Sequence, residues 1–178
     1  MAVFQRIKEL FIPGDFEFEE KEIIVPAPPT TYKIKLLKDV HLKEILLLNL
    51  RCFKRGENYT KHTFEYLLTA PNILGYRIVT EDNKIVGFIF VSANNGSVGH
   101  ITTVGVAPEH RKRGLARELL NHVEKALQKR DFEAVVLEVR VSNHAAQNLY
   151  SKYGYVIIQK LSQYYGNDED AYLMSKTL

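Results

Sequence analysis

The stretch from Val98 to Val141 constrains the fold of this chain more than any other. A strand-like run, Val98 to Val106, leads into a helix from about Gly114 to Lys129. On that helix Leu115, Leu119, Val123 and Leu127 recur at helical spacing along one stripe. A second strand-like run, Ala134 to Val141, follows. A helical crossover lets two strands lie side by side in the same direction, so these two are expected to form a parallel pair beneath an amphipathic helix.

The flanking elements fit the same plan. Tyr32 to Leu37 alternates like a strand, and Asp39 is placed to cap a helix running through Leu46, Leu47 and Leu48. A short helix around His62 to Thr69 stops before Pro71. Tyr76 to Thr80, Ile85 to Val91 and Val98 to Val106 are separated by turn residues, which predicts an antiparallel meander. After the Ala134 strand come a helix from Asn143 to Lys152 and two strands, Tyr155 to Leu161 and Ala171 to Ser175. The order β-α-α-β-β-β-α-β-α-β-β predicts an α/β (α+β) domain: a mixed, mostly antiparallel seven-stranded sheet with about four helices on both faces.

With 178 residues the chain suits one domain. Residues 1–30 read as an extension, with a short amphipathic piece (Phe4, Ile7, Leu10, Phe11), acidic residues, and the boundary prolines Pro26, Pro28 and Pro29; residues 31–178 form the domain. The net charge of +3 comes from 24 basic and 21 acidic residues spread along the chain, which points to neither nucleic acid nor membrane as a partner. Cys52 is the sole cysteine and reads as a small buried hydrophobe rather than a catalytic thiol. No disulfide can form within the chain, the longest apolar run (Ile85 to Val91) is far short of the ~20 residues of a membrane span, and the first residues lack an apolar signal core. A cytoplasmic protein is expected.

Chemistry enters at the turn between the strand ending at Val106 and the helix starting at Gly114. The first N–H groups of a helix lack intrahelical partners and carry partial positive charge, so a diphosphate can accept from several at once where no side chain blocks it. Gly114 and Ala116 leave that space, and Arg111, Lys112 and Arg113 add compensating charge. An ordinary solvated β-turn-α junction fits the same residues.

Arg111-Lys112-Arg113-Gly114-Leu115-Ala116 resembles the Gln/Arg-x-x-Gly-x-Gly/Ala acetyl-CoA signature of the GNAT superfamily, with Arg111 in place of Gln and Ala116 in place of the last Gly. Ser142-Asn143-His144-Ala145-Ala146-Gln147-Asn148-Leu149-Tyr150-Ser151-Lys152-Tyr153-Gly154-Tyr155 resembles the family's Ser-Asn-x-x-Ala-x-x-Leu-Tyr-x-Lys-x-Gly-Phe/Tyr block. Tyr164-Tyr165-Gly166-Asn167-Asp168-Glu169-Asp170-Ala171-Tyr172 is similar to the corresponding end of protein N-terminal acetyltransferases of the archaeal and NatA catalytic-subunit type. The resemblance spans residues 31–178.

It implies a GNAT fold and acetyl-CoA as cosubstrate, with Val104, Gly105 and Val106 along the pantetheine arm. Lys112 to Arg117 would hold the pyrophosphate, Arg113 nearest the phosphates, and Asn143, Tyr150, Ser151 and Lys152 complete the cofactor side. Tyr150 would stand near the sulfur and a backbone N–H around Val106 would polarise the thioester carbonyl. His100 and Glu138 each interrupt a strand otherwise suited to burial, and relatives carry the same pair; they are the candidates for handling the amine proton, directly or through water. A His–Glu bond that only shapes the cleft is the plainer alternative, and no metal site is expected. Glu57-Asn58-Tyr59 resembles a loop that contacts the acceptor, although Arg55-Gly56 replaces the usual Leu-Pro; Glu57 and Tyr59 would then flank the peptide from one side, and Tyr164 and Tyr165 from the other. The implied reaction moves an acetyl group directly to the α-amine of a protein N-terminus, with a ribosome or an auxiliary subunit as candidate partners. A lysine or small-amine acetyltransferase and a non-catalytic acyl-CoA-binding module are the alternatives on the same fold.

Overall fold

A computed structural model describes residues 24–53, 59–94 and 96–178. Among them are seven strands, β1 (Tyr32–Leu36), β2 (Ile73–Thr80), β3 (Ile85–Ser92), β4 (Val98–Val106), β5 (Ala134–Arg140), β6 (Val156–Leu161) and β7 (Ala171–Thr177). Four α-helices accompany them: α1 (Leu42–Cys52), α2 (Lys61–Thr69), α3 (Leu115–Gln128) and α4 (His144–Lys152). The strands form one sheet in the order β1-β2-β3-β4-β5-β7-β6. Every pairing is antiparallel except β4–β5, the pair joined across α3.

Strand β3 explains why the sheet is covered on both faces. Its Ile-Val-Gly-Phe-Ile-Phe-Val run is buried throughout, as expected of a central strand with helices above and below. Gly87 faces Leu119 of α3, whereas the next residue, Phe88, meets Phe64 of α2 with ring centres 6.0 Å apart. The α3 stripe of Leu115, Leu119, Val123 and Leu127 is at most 2% exposed. Glu124 is also buried on α3, and its carboxylate accepts from Tyr155 (2.9 Å) and pairs with Lys176 (2.6 Å), so a charge inside the core is answered by two partners.

Strand β4 changes character half-way. Phe90 pairs with Thr103 and Val91 with Ile101, which leaves Thr102 as an extra residue in a β-bulge. Gly99 faces Leu127 of α3, while Gly105, six residues later, faces Phe88 and Cys52 on the opposite side. Residues an even number apart share a face in a regular strand, so the bulge has switched the alternation. The β4–β5 ladder then covers only four pairs, from Val98 with Ala134 to Ile101 with Leu137, and the two strands part beyond it.

Three boundaries differ from expectation by two residues or more. Asp39 does not cap α1: its carboxylate accepts from the Val40 N–H (2.9 Å) at the head of a 3-10 turn, Asp39–His41, and α1 starts at Leu42. Strand β2 begins at Ile73 rather than Tyr76, since Gly75 hides the strand pattern; a Cβ there would lie 2.9 Å from the Phe90 ring. Strand β7 runs on to Thr177, pairing along the whole of β5. Among the described residues no helix is long and apolar enough to cross a membrane.

Candidate active site

Where β4 and β5 part, they open a cavity of about 360 Å³. Its walls are Thr102 to Val104 of β4, Leu137 to Arg140 of β5, Asn49 and Phe53 from α1 and its end, Asn143, Ala146 and Tyr150 at α4, and Tyr59, Tyr165 and Gly166 from loops. The bulge and the early end of the four-pair β4–β5 ladder together leave this space.

His100 and Glu138 meet in this region. His100 lies opposite Val136 in the parallel register, and Glu138 is two residues further along β5 on the same face. The His100 Nε2 to Glu138 Oε2 distance is 2.6 Å, with side chains 39% and 18% exposed. The bond to Glu138 raises the pKa of His100 above its usual value, and partial burial opposes that rise. Three tyrosines gather round the carboxylate. Tyr59 donates its hydroxyl to the bulge carbonyl of Thr102 (2.9 Å), and the Tyr164 and Tyr165 rings meet edge-on with centres 5.1 Å apart. Burial, then the Glu138 charge, raises the hydroxyls of Tyr59 and Tyr164. Burial takes Tyr165 up to about 12, against the lowering effect of Arg140. All three therefore remain protonated donors at neutral pH.

Tyr150 projects from α4 into the cavity wall and is 7% exposed. Burial pushes its hydroxyl well above the ordinary tyrosine range, with Tyr165 adding to the rise, so it too holds its proton. Cys52 sits behind Gly105, and burial pushes its thiol up to about 11. Such a thiol carries almost no thiolate at neutral pH, which removes it as a nucleophile.

The basic turn follows directly from the end of β4. Lys112 (φ +60°) and Gly114 (φ +77°) both adopt left-handed backbone, and this bend carries the chain into α3. A Cβ added at Gly114 would meet nothing within 4 Å, so the mouth of α3 is open to an anion approaching the N–H groups of Leu115, Ala116 and Arg117. Arg111 is held back on the protein, donating to the carbonyls of Val106 (3.1 Å) and Cys52 (3.0 Å). Arg117 lies 5.7 Å from the centre of the Tyr153 ring, which brings the exposed Ser151 and Lys152 at the end of α4 beside the start of α3.

Arg113 departs from the expectation that it stands nearest the phosphates. Its guanidinium donates to the Pro28 carbonyl (3.0 Å), the Tyr32 hydroxyl (2.7 Å) and the Ala27 carbonyl, so its charge is spent on the segment before β1. Asn143, expected on the cofactor side, caps α4 by accepting from the Ala146 N–H (3.1 Å), while also lining the cavity. Glu57 lies outside the described residues. Sequence reading missed Asn49, Phe53, Thr102 and Arg140. Asn49 carried a signal, as the lone polar residue beside Ile45 and Leu48 on the buried side of α1; Thr102 carried none, because a bulge depends on pairing between strands.

Comparison with known proteins matches residues 42–155 to the acetyltransferase (GNAT) family. The N-terminal acetyltransferase A complex catalytic subunit NAA10 of Arabidopsis thaliana is 39% identical over 138 residues, which are 73% of this chain and 69% of that protein. The N-alpha-acetyltransferase of Saccharolobus solfataricus is 34% identical over 135 residues, 68% of this chain and 80% of that one. Among solved structures, the ribosomal-protein-S18-alanine N-acetyltransferase from Escherichia coli superposes with a TM-score of 0.75 at 25% identity, over 83% of this chain and 94% of that chain. Matched in sequence over most of its domain and in the course of its sheet and helices, the chain belongs to the acetyltransferase (GNAT) family.

Proposed function

We propose that the chain transfers an acetyl group from acetyl-CoA directly to the α-amino group of protein N-termini. The observation that carries this reading is the His100–Glu138 pair, 2.6 Å apart and ringed by the hydroxyl-bearing side chains of Tyr59, Tyr164 and Tyr165 at the β4–β5 opening. Relatives named as N-terminal or N-alpha-acetyltransferases support the choice of acceptor.

Acetyl-CoA supplies the acetyl group as a thioester. The residues present suit it: the open, left-handed Gly114 leaves the first N–H groups of α3 accessible, and β4 residues Val104 to Val106 run from the cavity to that turn. Lys112, Arg117, Ser151 and Lys152 lie around the turn, while Arg111 braces the end of β4 that leads into it.

On the acceptor side, a free N-terminus enters as an ammonium ion, which the Glu138 carboxylate attracts. Only the neutral amine has a lone pair for attack, and an α-amine with a pKa near ~8 needs only a modest base. Glu138, with His100 bonded to it, receives that proton directly or through one water. A backbone N–H around Val106 would polarise the carbonyl oxygen on which negative charge develops. Tyr150 would donate a hydrogen bond to the departing thiolate, which takes up the second proton released by the amine nitrogen.

The reaction is tested with acetyl-CoA and peptides beginning Ser, Ala, Met or Glu, each also prepared with a blocked α-amine, followed by mass spectrometry. Acetylation confined to free α-amines is the expected result. Equal labelling of blocked, lysine-bearing peptides would transfer the assignment to a lysine acetyltransferase.

A further inference from the structure

Tyr164 and Tyr165 reach the cleft from the loop 162–170 between β6 and β7, and that loop is fastened from one residue in particular. Arg140 ends β5 and lines the cavity. Its guanidinium carbon lies 3.8 Å from the centre of the Tyr165 ring, a stacked cation–π contact. Nη1 of the same side chain donates to Glu169 Oε2 (2.7 Å) and to Asn167 Oδ1 (2.9 Å). The other oxygen of Glu169 accepts from the backbone N–H (3.0 Å) and hydroxyl (2.6 Å) of Ser142, just before the cap of α4. Those bonds, Ser142 first and then Arg140, hold the Glu169 carboxyl down to about 2, so the carboxylate is charged at neutral pH.

The rest of the loop is closed by its own bonds. Asp168 donates its N–H to the Tyr165 carbonyl (2.8 Å), Tyr165 donates to the Glu169 carbonyl (3.1 Å), and Asp170 takes the Gln163 N–H (2.9 Å) while pairing with Lys160 (2.7 Å). These fix the course of the backbone. The direction of the Tyr165 ring is fixed by what it stacks on, and that is Arg140, whose side chain is 14% exposed.

We propose that Arg140 is a positioning residue for the acceptor: by stacking on Tyr165 and bonding Glu169 it holds the Tyr164–Tyr165 lip over Glu138, and so sets how tightly a peptide N-terminus is gripped. This rests on the peptide reading of the reaction given above. A planar guanidinium can stack with its face and bond with its edge at the same time; an ammonium is a point charge and keeps only part of that geometry.

Steady-state kinetics on the full chain with Arg140→Lys, Glu169→Gln and the double variant test it. Lost grip that is equal in ground state and transition state raises KM and leaves kcat, so Arg140→Lys is expected to raise the peptide KM by about tenfold with kcat within about twofold. The acetyl-CoA KM should stay within about twofold. Glu169→Gln should move the peptide KM the same way by less, and the double variant should be no worse than Arg140→Lys, because the two residues act as one unit. An unchanged peptide KM in an active Arg140→Lys enzyme overturns the proposal, and so does an equal rise in the acetyl-CoA KM. Acetyl-CoA binding by calorimetry reports whether Arg140→Lys is folded; if it is not, Glu169→Gln decides on the same criteria. A parent chain that acetylates no peptide α-amine sinks the reaction itself, which the unmutated protein reveals before any variant is made.

Discussion

The His100–Glu138 contact makes two pH predictions with opposite signs. Because Glu138 raises the pKa of His100, the charged imidazole adds stability, fully present below its unfolded value of ~6.5 and lost as pH rises through the elevated folded value. His100→Gln should therefore lower the melting temperature most near about pH 6, and the gap should close towards about pH 9. A gap that is constant across this range would show that the contact is not ionic. Turnover runs the other way: kcat/KM should climb with pH as His100 loses its proton and the acceptor amine becomes neutral near ~8. Glu138→Gln should cut kcat by about 10²–10⁴, the usual contribution of a positioned base, and move the His100 part of the lower limb to lower pH, since the partner that raises it is gone. This part of the site was legible in the sequence because two polar residues interrupt apolar strands, a pattern that burial alone does not produce. Arg140 was not, since its partner Glu169 is 29 residues away and only the β5–β7 register brings them together.

Among the elements, the turn into α3 and the cap of α4 carry the sharpest expectations. Gly114→Ala places a methyl group in open space at φ +77°, so it meets no neighbour and its cost is backbone strain, about 1–2 kcal/mol. It should lower the melting temperature modestly and weaken acetyl-CoA binding by calorimetry more than that strain alone would do. Binding unchanged at the level of the parent would show that the anion does not use this opening. Asn143→Ala removes the α4 cap and should cost about 1 kcal/mol in denaturant unfolding. Helical stripes and turn residues were enough to read the order of elements and the parallel pair across α3. Their ends were less legible where a single residue answers to a distant one, as Gly75 does to Phe90, or where Asp39 bonds its neighbour Val40 instead of capping a helix.

Across the whole molecule, the segment before β1 is tied to the basic turn. Ala27 donates its N–H to the Glu109 carbonyl (2.9 Å), and Arg113 bonds the carbonyls of Ala27 and Pro28. Arg113→Ala should thus lower thermal stability while leaving the acetyl-CoA KM within about twofold, because the guanidinium is already engaged. A tenfold loss of acetyl-CoA affinity would show instead that Arg113 swings across to the phosphates. No local signal in the sequence links Ala27 to Arg113, which are 86 residues apart. The parting of β4 from β5 has its own consequence at this scale. One half of the sheet, β1 to β4, is stitched to the other, β5, β7 and β6, by only four residue pairs. A long, thin molecule threaded into the slot acts as a splint between the halves, so their breathing should be damped when acetyl-CoA is added. Amide hydrogens of Val104, Val106 and Arg140, on the facing edges, should then exchange with heavy water more slowly, while those of the β2–β3 ladder, laced along its length, keep the same rate.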